Sequence, residues 1–347
     1  MSDDIEQRKI DHLDSVLHRD VSNRTTTGFE NIRFEHNALP ELDFAAIDMS
    51  TSFLGRYLAA PLLVSSMTGG PEKARRINET IAEMAQELKI AFGVGSQRIA
   101  LESPQMAGFD KSLRHLAPDV PILANIGAAQ LLNGDQVLLA RRAIEMIDAD
   151  ALIIHLNPLQ EVLQQGGDQN WSGVLKQIGN LVRELDCPLV IKEVGCGISG
   201  AVARRLAEAG VSIIDVAGMG GTSWAAVEAD RAATDGARQI AETFRDWGIP
   251  TAQAIVEVRA SCPDATIIAS GGLRTGLDVA KAIRLGANMA GFAGAILVST
   301  LDGSQALISR FTSIITELKI AAFCTGSSNI QALSKAALSG NERSLAG

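Results

Sequence analysis

The chain has 347 residues, 46% of them hydrophobic but only 4% aromatic, and a formal net charge of −9. An acidic chain without a long basic block suits neither nucleic acid nor an anionic membrane surface. Its longest apolar stretch, Ala290–Val298, is far short of the ~20 residues a membrane span needs. The opening MSDDIEQRKIDHLDSV is charged and lacks a signal-peptide core. Four cysteines show neither a CxxC pair nor zinc spacing, as expected for reduced thiols in a cytoplasmic protein.

The first sixty residues are polar and turn-rich and read as an N-terminal arm and cap. Arg8 and Lys9 lie in it, either as an ordinary surface pair or as local cations for an anionic ligand. Eight apolar runs of strand length follow: Leu62–Ser66, Ile90–Val94, Pro121–Ile126, Ala151–Leu156, Leu189–Glu193, Ser212–Ala217, Ala265–Ser270 and Met289–Ala293. Amphipathic stretches such as Pro71–Leu88, Asp135–Ile147, Ser172–Leu185, Ser199–Ala209 and Thr275–Leu285 alternate with them. This spacing predicts an α/β fold, a single (β/α)8 TIM barrel in one domain over residues 1–347. Between the sixth and seventh runs, Gly218–Asp264 is longer than one helix needs. It opens with GMGGTSWAAVEADRA, read as an active-site cover or a surface insertion.

Catalytic groups in such barrels sit where the strands end. Here those places carry Ser66-Met67-Thr68, Gly95 to Arg98, Asn125, His155 to Asn157, Lys192-Glu193, Gly218 onward, Gly271-Gly272 and Gly294. Lys192 ends PLVIKEV, and its ammonium needs a partner near the barrel axis. Three partners stand open: Glu193 in an internal salt bridge, an electron-rich cofactor, or a carbonyl in a Schiff base. His155 and Asn157 alternate and so face one side, while Gln160 and Glu161 fall on the loop above. Glu161 suits a hard cation that completes its shell with substrate oxygens, since no second carboxylate stands nearby. Around ASGGLRTG, two glycines and a following helix make either a phosphate site or a tight turn.

The ordered motifs RKIDHL, SSMTGG, FGVGSQR, NIGAAQL, HLNPLQE, IKEVGCGIS, GMGGTSW, ASGGLRTG and GFAGA together resemble the type 2, FMN-dependent isopentenyl-diphosphate delta-isomerases over nearly the whole chain. The resemblance implies conversion of isopentenyl diphosphate to dimethylallyl diphosphate, with reduced FMN as acid and base, Mg²⁺, and NADPH as reductant. It implies flavin contacts from Ser66, Met67, Thr68, Ser96, Asn125, Lys192 and Thr222. Gly272, Leu273, Arg274, Ala293 and Gly294 would take the FMN phosphate. Arg8, Lys9, Ser96, Gln97, Arg98, His155, Asn157 and Gln160 would face the substrate, Gln160 and His155 as catalytic residues, with Glu161 on the metal. A homo-oligomer, tetramer or octamer, is also implied. Two rival barrel enzymes fit less well: the cover segment has no nucleophilic cysteine, and no histidine follows His155 to serve a hydroxy-acid oxidase.

Overall fold

The computed structural model describes residues 11–66, 71–102 and 109–339. A two-stranded antiparallel hairpin, β1 (Thr51–Phe53) and β2 (Arg56–Leu58), precedes the barrel. The barrel strands are β3 (Leu62–Val64), β4 (Ala91–Gly93), β5 (Ile122–Gly127), β6 (Ala151–Leu156), β7 (Leu189–Glu193), β8 (Ile213–Asp215), β9 (Thr266–Ala269) and β10 (Met289–Phe292). They close in the order β10-β3-β4-β5-β6-β7-β8-β9, all parallel. Each matches one of the eight apolar runs to within two residues at either end. The fold is a TIM barrel.

Side chains alternate along a strand, and the packing shows which set points inward. Leu63, Ala91, Leu123, Ile153, Val190, Ile213, Ile268 and Met289 form one interior cluster with Phe53 and Leu58 of the hairpin. The alternate residues, among them Val64, Phe92, Ile154, Ile191, Ile214, Ile267 and Phe292, pack outward in the helix-facing core. Two residues beyond the interior cluster, the same alternation sets a second inward layer: Ser65, Gly93, Asn125, His155, Lys192, Asp215, Ser270 and Gly291. The barrel interior therefore changes from apolar to polar in one step.

The described part of the first sixty residues reaches both ends of the barrel. Residues 11–18 are helical, and the following segment docks at the barrel mouth. There Asn23 N–H donates to the Gly221 carbonyl at 2.8 Å and Ser223 N–H donates to the Val21 carbonyl at 2.8 Å. The chain then runs to the opposite end, where the hairpin plugs the base. Leu58, fully buried, contributes on the order of 2 kcal/mol there by leaving water. Between β8 and β9 the long segment folds as helices Trp224–Asp230, Asp235–Thr243 and Thr251–Ser261. Among the described residues, no helix is long and apolar enough to cross a membrane.

Candidate active site

A cavity of about 410 Å³ opens at the C-terminal ends of the strands, within the size range of small-molecule sites. Ser65, Asn125, His155, Lys192, Ser270 and Gly291 of the polar layer line it. Ser65 Oγ and Ser66 Oγ are buried without a hydrogen-bond partner in the protein, a state that costs free energy unless a ligand supplies one. A Cβ on Gly291 would stand 2.4 Å from Ser65 Oγ, and one on Gly294 would stand 3.1 Å from Thr222 Oγ1. Side chains there would fill the space over the serines and between the loops. A flat polar ring with a phosphate tail fits this lining.

The glycine loops explain how the cradle is built. Gly271 and Gly272 have φ of +99° and +78°, where a side chain is strained. A Cβ on Gly271 would fall 2.0 Å from the Gly218 carbonyl oxygen, so the loops after β8 and β9 cross backbone to backbone. Thr251 Oγ1 ties them by donating to the Gly271 carbonyl at 2.6 Å. The helix dipole expected after ASGGLRTG contributes less than its sequence suggests. In helix Gly276–Arg284 the Gly276 N–H donates to Glu317 at 2.6 Å, and the Asp278 N–H donates to the capping Thr275 Oγ1 at 3.1 Å. The cradle is the backbone of Gly271 to Arg274 and Ala293 to Ala295.

Lys192 and Glu193, one of the three pairings open to the lysine, do not form an internal salt bridge. Lys192 Nζ donates to the Glu193 carbonyl oxygen at 2.6 Å. The Glu193 carboxylate turns the other way and accepts N–H bonds from Val194, Gly195, Cys196 and Gly197. Complete burial pushes its carboxyl up to about 7 even though those donors favour the anion. The lysine is left facing the cavity.

The end of β6 supplies the other half. His155 Nδ1 pairs with Asn125 Oδ1 at 2.8 Å, while Asn125 Nδ2 donates to the Val94 carbonyl. Asn157 Nδ2 donates to Gln160 Oε1 at 3.1 Å and to Glu161 Oε1 at 2.9 Å. Glu161 Oε2 accepts the Asp168 N–H at 2.8 Å, and Arg98 Nη1 reaches Asp168 Oδ2 at 3.3 Å. Asp168 therefore brings a second carboxylate to the cavity wall, correcting the expectation that Glu161 stands alone. Among the described residues no group of three His, Cys, Asp or Glu side chains is arranged for a metal. The Asp168 carboxylate is engaged by Arg98, so Glu161 with the oxygens of an outside ligand is the set that fits a hard cation such as Mg²⁺.

The mouth segment joins this cluster through a residue that sequence reading passed over. Glu228 is buried on helix Trp224–Asp230. It accepts from Gln160 Nε2 at 3.3 Å, pairs with His12 Nε2 at 3.0 Å and accepts from Arg231 Nη1 at 3.0 Å. These partners hold its carboxyl below the usual range against the opposing effect of burial. His12 also stands edge-on to Trp224, with ring centroids 5.1 Å apart.

Residues 147–340 match the family model described as FMN-dependent dehydrogenase. An isopentenyl-diphosphate delta-isomerase of Pseudescherichia vulneris is 58% identical over 331 residues, 95% of each chain. One from Xanthobacter autotrophicus is 55% identical over 333 residues, covering 96% of this chain and 97% of the relative. The chain belongs to the type 2, FMN-dependent isopentenyl-diphosphate delta-isomerase family. In fold it is similar to a mandelate oxidase variant carrying a monooxide FMN adduct, with a TM-score of 0.66, 16% identity and 94% of each chain covered.

Against the set that this family implies, Ser66, Ser96, Asn125, Lys192, Thr222, Gly272, Leu273, Arg274, Ala293 and Gly294 all line the one cavity. So do Arg98, His155, Asn157, Gln160 and Glu161. Gln97 does not. It is fully buried, Nε2 donates to the Ala143 carbonyl at 2.9 Å, and Oε1 accepts the Asn125 N–H at 2.9 Å. Its side chain braces β5 from outside the barrel and is turned away from the cavity. Arg8, Lys9, Met67 and Thr68 lie outside the described residues. Asp215 and Glu228 carried a legible signal, since each is a charge inside an otherwise apolar run (SIIDVAG, WAAVEA).

Proposed function

We propose that the chain interconverts isopentenyl and dimethylallyl diphosphate in isoprenoid biosynthesis, in the cytoplasm, with FMN and Mg²⁺. The observation that carries this reading is that one cavity has two unlike halves. Orphaned serine hydroxyls, glycine backbone and Lys192 suit a flavin and its phosphate. Arg98, His155, Asn157 and Glu161 suit a metal-chelated diphosphate.

When bound and reduced by NADPH or another donor, FMN supplies the acid–base chemistry that moves the double bond. The protein's task is position and charge. Lys192 would present an ammonium to the flavin's electron-rich edge, while Ser66, Met67, Thr68, Ser96, Asn125 and Thr222 would seat the ring. Gly272 to Arg274 with Ala293 and Gly294 hold the phosphate. Asn125 Oδ1 accepts from His155 Nδ1, which fixes the imidazole's orientation for contact with the diphosphate. Gln160, its amide fixed from both ends, orients the alkene, and Glu161 holds the metal. The assembly is a tetramer or octamer on the family resemblance.

A visible spectrum of the FMN-reconstituted protein tests the cofactor half. A bound-flavin spectrum is expected in wild type, and Lys192→Ala is expected to weaken FMN affinity by about tenfold, one lost charged contact. Unchanged affinity and unchanged flavin reactivity would remove Lys192 from the cofactor site.

Arg8 and Lys9 are assigned to the diphosphate because an acidic chain needs local cations for an anionic substrate. Deleting residues 1–10 is expected to raise KM by about tenfold or more while FMN content holds. Equal KM values would return the segment to a surface role.

A further inference from the structure

The polar layer holds one ionisable group that the proposed chemistry leaves unused. Asp215, on β8 between Ile214 and Val216, is 1% exposed. Strand register places it beside Lys192 of β7 on one side and Ile268 of β9 on the other. Its Oδ1 accepts from Ser270 Oγ at 2.6 Å and from the Ala217 N–H at 3.3 Å. Both bonds come from donors, as a carboxylate requires.

Lys192 is 8% exposed, and its ammonium is bound to a neutral carbonyl. A charge so far from water is costly without an opposite charge nearby. Glu193 feels the lysine's charge, but it lies on the outward face of β7 with its carboxylate held by four backbone N–H groups and turned away from the ammonium. His155 of β6 is in register with Lys192, but its Nδ1 is engaged with Asn125. Ser65, Asn125 and Ser270 are neutral. Among the described residues, Asp215 is the anion that the polar layer places beside the lysine. Lys192 is likewise the cation facing Asp215, since β9 offers only Ile268 and Ser270. The two do not touch as a direct ion pair, yet burial pushes the Asp215 carboxyl up while Lys192 draws it back down.

Resting on the flavin site proposed above, we infer that Asp215 is a positioning residue, the buried counter-charge that keeps Lys192 protonated beneath the cofactor. A lysine whose only partner was the flavin would hold its proton least firmly when the flavin is oxidised or absent. With Asp215 below it, the floor presents an ammonium in every state of the cavity. Asp215 touches neither flavin nor substrate and acts through Lys192.

The test reads Lys192 directly, in the full-length chain without FMN, so it does not depend on catalysis. Competitive acetylation with acetic anhydride at neutral pH, followed by peptide mass spectrometry, measures how much of the lysine is free amine. Asp215→Asn is expected to speed Lys192 acetylation ~10-fold over wild type, the equivalent of one pKa unit, while other lysines react as before. Equal rates would overturn the inference.

Infrared spectroscopy covers the case in which that variant does not fold. Lys192→Met should show, at neutral pH, a buried carboxylic acid band that shifts on carboxyl-13C labelling of aspartate, which separates it from the Glu193 carboxyl, and that labelled wild type lacks. The same band in wild type would mean that Asp215 is a neutral hydrogen-bonding group, which contradicts the proposal. Failure of the flavin reading would appear separately, as absence of FMN binding with the lysine result intact.

Discussion

Replacing Gln160 by alanine is expected to lower kcat about 100-fold while FMN content and stability stay at wild-type values, because misplacement of a reacting group by ~1 Å costs about that much. Gln160 is only partly buried on the short helix Pro158–Leu163, so its loss leaves no core void. What it loses is orientation. The amide oxygen accepts from Asn157 Nδ2 at 3.1 Å, and the amide nitrogen donates to Glu228 Oε1 at 3.3 Å, so both ends of the group are fixed before substrate arrives. An orienting role predicts a slow enzyme rather than a dead one. Wild-type kcat in Gln160→Ala, measured with saturating reduced FMN and Mg²⁺, would make Gln160 a bystander and His155 the first suspect for a protein acid.

Glu161→Gln is expected to weaken Mg²⁺ activation by about 100-fold or more, the scale on which metal sites lose affinity when their shell is disturbed, again with FMN retained. Both Glu161 oxygens already accept hydrogen bonds, from Asn157 Nδ2 at 2.9 Å and the Asp168 N–H at 2.8 Å. Those bonds set the carboxylate's direction and leave its other lone pairs available. Glutamine keeps the shape but places an amide N–H against a donor and removes the charge. A titration of activity with Mg²⁺ reads the effect. Normal Mg²⁺ dependence would move the metal site elsewhere.

The barrel was legible because its strands are continuous apolar runs, as buried parallel strands must be. The hairpin was not. Its three-residue strands, TSF and RYL, are too short to show a period, and only closure of the barrel base gives Phe53 and Leu58 something to pack on. Rim residues could be read from strand ends, but partners contributed by distant loops could not. Glu228 stands 68 residues from Gln160 and 216 from His12, a meeting that no spacing rule encodes. Gln97 shows the opposite limit, since its neighbours Ser96 and Arg98 line the cavity while its own side chain turns to the far side. Lys192 and Glu193, adjacent in sequence, point to opposite faces of β7, so alternation alone argued against their salt bridge. The same alternation, applied to SIIDVAG, puts Asp215 in line with the inward Ile213.

In the proposed function the cavity uses a reduced flavin to move a double bond without net oxidation. The measurement that tests it most directly is anaerobic turnover of isopentenyl diphosphate in deuterated water with Mg²⁺, comparing pre-reduced FMN with FMN-free protein. Deuterium should enter dimethylallyl diphosphate over many turnovers, with the flavin still reduced at the end. Equal isomerisation by the FMN-free protein would remove the flavin from the reaction.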